Sequence, residues 1–231
     1  MRPWLAAALA LALAACSNGR FNPVIEGAVN EILPGQRAPD GAASAPPRGP
    51  VTRAQLTRAD IATIRGKLPG DKAPTMFFAA SDNGGYVTYA SSFRQTLTLR
   101  GAQITGSRGF GWDLLSATSS RPDPLVTPIP PGRWPASIER TYEFHAFAPQ
   151  GRIETFTCRF ELGQARDIVI IEQRHRGVEI SEYCENETRS FENLHFADVN
   201  TGQVWRTIQW LGPQQGVIDL EIVVPYTGRR S

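Results

Sequence analysis

Leu13-Ala14-Ala15-Cys16 sets a thiol directly after two small side chains, at the end of an apolar run from Leu5 to Ala15 that follows Arg2. A charged start, a short apolar middle and small residues before a cut are the anatomy of a secretory signal. The cysteine adds a second chemistry, that of the bacterial lipoprotein signal. There the thiol of Cys16 is alkylated by a diacylglycerol, the chain is cleaved between Ala15 and Cys16, and the new amine is acylated. Ala14 and Ala15 must be small because the peptidase draws extended backbone against its own catalytic groups. The competing reading is an ordinary signal in which Cys16 is incidental. A membrane span is excluded by length, since Leu5 to Ala15 falls well short of the ~20 residues a helix needs to cross. Two or three acyl chains, at roughly 0.8 kcal/mol per buried methylene, anchor a protein that one chain would not. Ser17 stands where an aspartate would retain the protein at the inner membrane. The expected location is therefore the periplasmic face of the outer membrane, with the lipid bilayer as first partner through acylated Cys16.

Elsewhere the residue types that do chemistry are sparse. Cys158 and Cys184 remain after lipidation, and an oxidising periplasm permits a disulfide. A simple meander would put a third strand, 166–173, between them, leaving the cysteines about 9.6 Å apart. A disulfide needs Cα atoms within about 7 Å. The pair is bonded if the sheet bends and free if it does not, and both outcomes stay open. Two cysteines without CxxC or HxxxH spacing form a poor zinc set, so no metal is expected. His145 and His195 fall in expected strands and His175 in an expected turn, none in a catalytic context. No nucleophile elbow, HExxH or phosphate-cradling loop occurs, and Gly106 to Gly111 does not join a strand to a long helix. No carboxylate spacing argues for a glycosidase pair. No catalytic residue and no cofactor is assigned. Trp112, Trp134, Trp205 and Trp210 could stack on sugar rings, but most tryptophans are core residues. Trp205 falls opposite Val204, Ile208 and Trp210 on the strand 203–211 and is expected to pack under a loop.

Without residues 1–15 the chain has 216 residues, with 23 basic and 22 acidic side chains. That balance offers no reason to expect nucleic acid as a partner. With 41% apolar residues the core is ample for one domain. Residues 16–51, rich in Pro, Ala and Gly, read as a flexible tether. Only 24–33 has helical spacing there. Residues 52–231 read as a single β-rich domain. A short helix is expected from Thr57 to about Gly66, and one helical turn at Trp112 to Ala117. Ser81 to Gly85, Pro149 to Gly151 and Asn200 to Gly202 are turn chemistry, and 122–135 an irregular Pro-rich connection. From Ile138 onward apolar and polar residues alternate plainly, the signature of antiparallel sheet with one wet face. Ten or so strands with so little helix predict a mainly β fold. A large curved antiparallel sheet or half-open barrel, with one or two short helices, satisfies that pattern.

In the last hairpin, Phe196, Asp198, Thr201, Gly202, Val204, Arg206, Gln209 and Leu211 to Pro213 form a pattern that resembles the YjbF/GfcB family of lipoproteins. Leu56-Thr57 with Ile61, and Gly111 to Leu115 leading to Asp123 to Leu125, extend the resemblance over roughly 52–225. The resemblance implies a lipoprotein of group 4 capsule or exopolysaccharide production, with no catalytic residue to carry over. The expected function is a non-enzymatic accessory in polysaccharide assembly or export, with polysaccharide or export-machinery proteins as partners. The alternatives are a periplasmic glycan-modifying enzyme and a lipid or lipoprotein carrier with an apolar cavity. Candidate binding residues are Trp112, Asp113, Trp205 and Arg206. The last reads first as a strand-face partner for a carboxylate.

Overall fold

A computed structural model describes residues 50–145 and 152–228. Cys16 with its cleavage site, the expected helix over 24–33, most of the tether and the turn at Pro149 to Gly151 lie outside the described residues. The expectation of a mainly β fold holds. Twelve strands form one antiparallel sheet that curls into a nearly closed barrel, accompanied among the described residues by a short helix α1 (Arg53–Ala59) and a 3-10 turn (Pro131–Arg133). The strands are β1 (Thr63–Lys67), β2 (Thr75–Asn83), β3 (Tyr86–Ala90), β4 (Thr96–Arg100), β5 (Gln103–Arg108) and β6 (Leu114–Ser119). They continue with β7 (Ser137–Phe144), β8 (Arg152–Ile170), β9 (Gln173–Glu185), β10 (Ser190–Ala197), β11 (Val204–Gly212) and β12 (Gly216–Val224). A flat sheet of this width would be unusual, and the right-handed twist of its strands curls it.

Two meanders make up the sheet. β1 to β5 pair in chain order, as do β6 to β12, and β12 pairs with β1 to join them. The ends of the sheet are β5 and β6, consecutive in the chain yet sharing no ladder, and the barrel has its seam between them. One end of the seam is stitched by side chains. The Leu114 N–H donates to Ser107 Oγ (2.9 Å), Ser107 Oγ donates to Asp113 Oδ1 (3.2 Å), and Arg108 Nη1 reaches the Leu114 carbonyl (3.4 Å). At the other end the connection after β6 folds back, and the Ala102 N–H donates to the Leu125 carbonyl at 2.7 Å.

Several sequence expectations are corrected. The helix begins earlier than Thr57: Thr52 caps it, its hydroxyl and the side chain of Gln55 forming a reciprocal capping box. It ends at Asp60, whose φ of 46° is left-handed, and the β-branched pair Thr63-Ile64 enters β1 instead of extending the helix. Residues 114–119 are strand, not a helical turn, and 103–108 also form a strand. No third strand separates the cysteines. Residues 152–170 are one long strand with an irregularity between Leu162 and Ala165, and β8 pairs directly with β9. Cys158 therefore lies opposite Cys184, with Cα atoms 4.0 Å apart and the sulfurs joined in a disulfide. On β11, a register shift opposite Phe196 and Ala197 breaks the simple alternation, so Thr207, Gln209 and Trp210 are buried while Ile208 is only half-buried.

The main core lies inside the barrel. Trp210 stacks on Phe191 (centroids 4.2 Å apart) and meets Phe144, Tyr142 and Phe156 edge-on at 5.2 to 5.6 Å, next to the disulfide strands. A second, smaller core includes Leu56 of α1 with Phe78, Val223 and Ile170.

Candidate functional site

On β7, alternation brings Ile138, Arg140, Tyr142 and Phe144 to the buried side, so a guanidinium enters an otherwise apolar row. Arg140 is 1% exposed. Its Nε donates to Glu182 Oε1 of β9 (2.6 Å) and its Nη1 to Asp123 Oδ2 (2.8 Å), and it also bonds the Gln103 side chain of β5. Glu182 Oε2 accepts from Asn193 Nδ2 (2.7 Å) and lies 3.1 Å from His195 Nε2, whose other nitrogen is 2.7 Å from the Thr207 hydroxyl. The Gln209 side chain accepts from the Ile104 N–H and donates to the Ala102 carbonyl. This network ties β5, β7, β9, β10 and β11 to the connection after β6. Burial alone would neutralise these charges. It pushes the Glu182 carboxyl up, but Arg140 and the hydrogen bonds from His195 and Asn193 overcome it and hold the group down at about 2. Burial likewise works against the Arg140 charge, and Glu182 and Asp123 reverse it, leaving Arg140 above its usual value. The pair stays ionised because its charges face each other and Asp123, and hydrogen bonds with Asn193, Gln103 and His195 surround it.

Above Asp123 and Gln103, the seam opens into a cleft of about 640 Å³. Its walls come from β3, β4 and β5 on one side and from β6 and its following connection on the other, including Tyr86, Arg100, Thr105, Thr118, Arg121 and Thr127. A second cleft of about 430 Å³ shares Tyr86, Thr105, Ala117 and Thr118 with the first and runs on to Arg108. Gly106 faces β6 across the seam, where a Cβ would lie 3.5 Å from the Leu115 carbonyl oxygen. Arg100 lies over the Tyr86 ring at 5.1 Å and donates to its hydroxyl at 3.3 Å.

The residues nominated from sequence do not gather here. Trp112 is exposed on the β5–β6 connection. Beside it, Asp113 accepts from the N–H groups of Gly109 (3.0 Å) and Phe110 (3.1 Å) and closes that turn. Trp205 lies elsewhere, its ring 4.1 Å from His175 and packed in the second core beneath the β8–β9 turn. Arg206 makes a bidentate pair with Asp219 of the neighbouring strand at 2.8 and 2.6 Å. His175 is a strand residue and buried, not part of a turn. Burial first and then Arg53 lower its pKa and favour the neutral ring. Cys158, Glu182 and Cys184 come close enough to suggest a metal set. Chemically they do not form one: the sulfurs are bonded to each other, and Glu182 is engaged by Arg140, Asn193 and His195. Sequence reading missed Arg140, Glu182, Asp123, Arg100 and Arg121. The available signal was charge out of phase, since Arg140 and Glu182 sit at positions where their strands otherwise place apolar side chains.

A barrel with a filled interior, polar at one level and aromatic at another, and a lateral cleft at an unzipped seam defines a class: an antiparallel β-barrel protein with room for a ligand on its wall. Within that class, the chain belongs to the family of group 4 capsule polysaccharide lipoproteins, gfcB/YjbF, whose family model matches residues 36–223. Membership of a lipoprotein family implies lipid anchoring to a membrane. The crystal structure of the hypothetical lipoprotein YmcC from Escherichia coli (K12) is similar, with a TM-score of 0.62 and 16% identity, covering 75% of this chain and 88% of that one. At that identity the likeness is one of fold. Among curated proteins none matches.

Proposed function

We propose that this protein is an outer-membrane lipoprotein, held on the periplasmic face by acylated Cys16, that assists the assembly or export of a capsular or extracellular polysaccharide without catalysing a reaction. The family match over 36–223 carries this reading, and the Leu13 to Cys16 signal supports it. Two features weigh against the alternatives. Asp123 and Glu182, the carboxylates nearest the cleft floor, are locked to Arg140 and 4% and 0% exposed, so neither is available as a general acid or base for a glycan. Where a lipid carrier would need a chamber, the level of β7 to β11 is filled by Trp210 and the aromatic rings around it.

The test is deletion of the gene in its own host, with surface and periplasmic polymer quantified and the strain complemented by wild type or by Cys16→Ala. Polymer lost from the surface and restored only by the lipidated protein is the expected result. Unchanged amount and location of polymer would overturn the reading.

A further inference from the structure

Among the described residues, two arginines that line the seam cleft lack the carboxylate partner that many arginines elsewhere have, though Arg58, Arg94, Arg133 and Arg176 outside it lack one too. Arg65, Arg140, Arg152, Arg159, Arg166, Arg174, Arg189 and Arg206 each sit against a carboxylate. Arg100 and Arg121 do not, among the described residues. Asp123 is the acidic residue in the cleft wall, and it already accepts from Arg140, from Ser119 Oγ (2.5 Å) and from the Leu125 N–H (2.9 Å). Two guanidinium groups therefore face a cleft whose one carboxylate is engaged below. Around them stand the hydroxyls of Thr105, Thr118 and Thr127 and the partly exposed Tyr86, one face of whose ring Arg100 covers. Because β5 and β6 end the sheet, the cleft runs along two strand edges that share no ladder.

We propose that the β5–β6 seam binds a short run of acidic sugar, its carboxylate or phosphate held by Arg100 and Arg121 and one ring laid against Tyr86. This rests on the polysaccharide reading above and names the chemistry the cleft selects. Guanidinium is the side chain suited to planar, bidentate capture of an anion. Hydroxyls match the dense donors and acceptors of a sugar, and an aromatic face matches its apolar C–H face. The volume lies in the range of small-ligand clefts. Its continuation along the seam to Arg108 lets a chain run through the site instead of ending in it.

Isothermal titration of the purified full-length protein in detergent, at low salt, tests this with tetragalacturonate as carboxylate probe. Inorganic phosphate, neutral maltotetraose and hexaglutamate are titrated alongside. Tetragalacturonate is expected to bind and to weaken as salt rises. Affinity should fall at least tenfold in R100Q/R121Q, and also in Y86A. It should not change in R174Q, whose side chain is exposed on the β8–β9 hairpin away from the cleft. The melting temperature of each variant checks folding. Binding of inorganic phosphate that R100Q/R121Q abolishes would assign the anion subsite to phosphate-bearing sugars as well. No binding of either anion, equal binding of maltotetraose, or an unaltered affinity in R100Q/R121Q would overturn the proposal. Hexaglutamate binding as tightly would overturn it in favour of an acidic peptide. The deletion strain separates the two readings. If polymer is lost there but the protein binds no acidic sugar, the cleft assignment fails alone. If the protein binds as described and polymer is unaffected, the export reading fails alone.

Discussion

Arg140 is the residue on which the barrel's polar interior converges, since it joins a strand, a connection and two carboxylates with almost no exposure. Removing one partner of a buried pair strands the others, which costs about 3–5 kcal/mol. Arg140→Ala should lose that much in urea denaturation, and Arg140→Lys most of it, because an ammonium cannot donate along both the Glu182 and Asp123 directions. Glu182 makes the same network sensitive to acid. Its carboxyl is held at about 2, below its ordinary 4.5, so its contribution is fully present above pH 4.5 and is lost as pH falls through 2. Glu182→Gln should therefore be less stable at neutral pH and show a shallower loss of stability between pH 4.5 and 2. Denaturation midpoints measured across that window check both. Equal acid slopes for wild type and Glu182→Gln would mean that the network does not carry the acid sensitivity.

Among the elements, the β8–β9 hairpin depends most on what surrounds it. The disulfide crosses its base from Cys158 to Cys184, closing a chain separation of 26. In the chain-entropy picture such a loop contributes roughly 3.5 kcal/mol. Cys158→Ser with Cys184→Ser should lower stability by about that amount, and reductant should do the same to wild type but not to the double variant. At its tip, Ile171 and Glu172 both have positive φ, a conformation that is costly for a β-branched residue. Arg53 holds that turn, donating to the carbonyls of Ile170 (2.7 Å) and Ile171 (3.1 Å) while also reaching Val223 (2.8 Å). Arg53→Ala should speed amide exchange at residues 168–174 with little change in the distant β3–β4 hairpin. A uniform change across the molecule would show that the clamp acts globally. In the β10–β11 turn, Gly202 has φ +75° and a Cβ there would overlap the Ile129 backbone. Gly202→Ala is accordingly expected to cost more than ~1 kcal/mol and to lower the melting temperature.

The whole molecule is, over the described residues, a barrel whose first element is tied to its wall. The first residue of α1, Arg53, grips both the β8–β9 turn and β12, so the start of the helix is fixed to the wall of the barrel. Cys16→Ala should move the protein from the membrane fraction to the soluble periplasmic fraction and abolish incorporation of labelled fatty acid. Fractionation with palmitate labelling reads both, and persistence of the variant in membranes would point to an anchor other than the acyl chains. Cleft binding, in contrast, should survive Cys16→Ala, since the seam is built from residues 86–127, within the folded barrel.

Read alone, the sequence determined the mainly β class, the antiparallel strands from Ile138 onward apart from the unbroken length of β8, the Pro-rich connection after β6 and the Asn200 to Gly202 turn. These are local: side-chain alternation and turn chemistry act over a few residues. It also carried the family pattern in the last hairpin. Tertiary structure decided the rest. The sequence reading did not recognise β1, β5 and β6 as strands, and these close the barrel or form its seam. β5 was illegible because Gln103 and Ser107 are buried where alternation calls for apolar side chains, and Gly106 leaves room for β6. Gln103 belongs there because it faces the polar network around Arg140, and Ser107 because it ties the seam to Asp113 and the Leu114 N–H. The disulfide and the cleft had the same origin. One depends on β8 running unbroken beside β9, the other on two consecutive strands failing to pair, and both are set by long-range pairing that no local window contains.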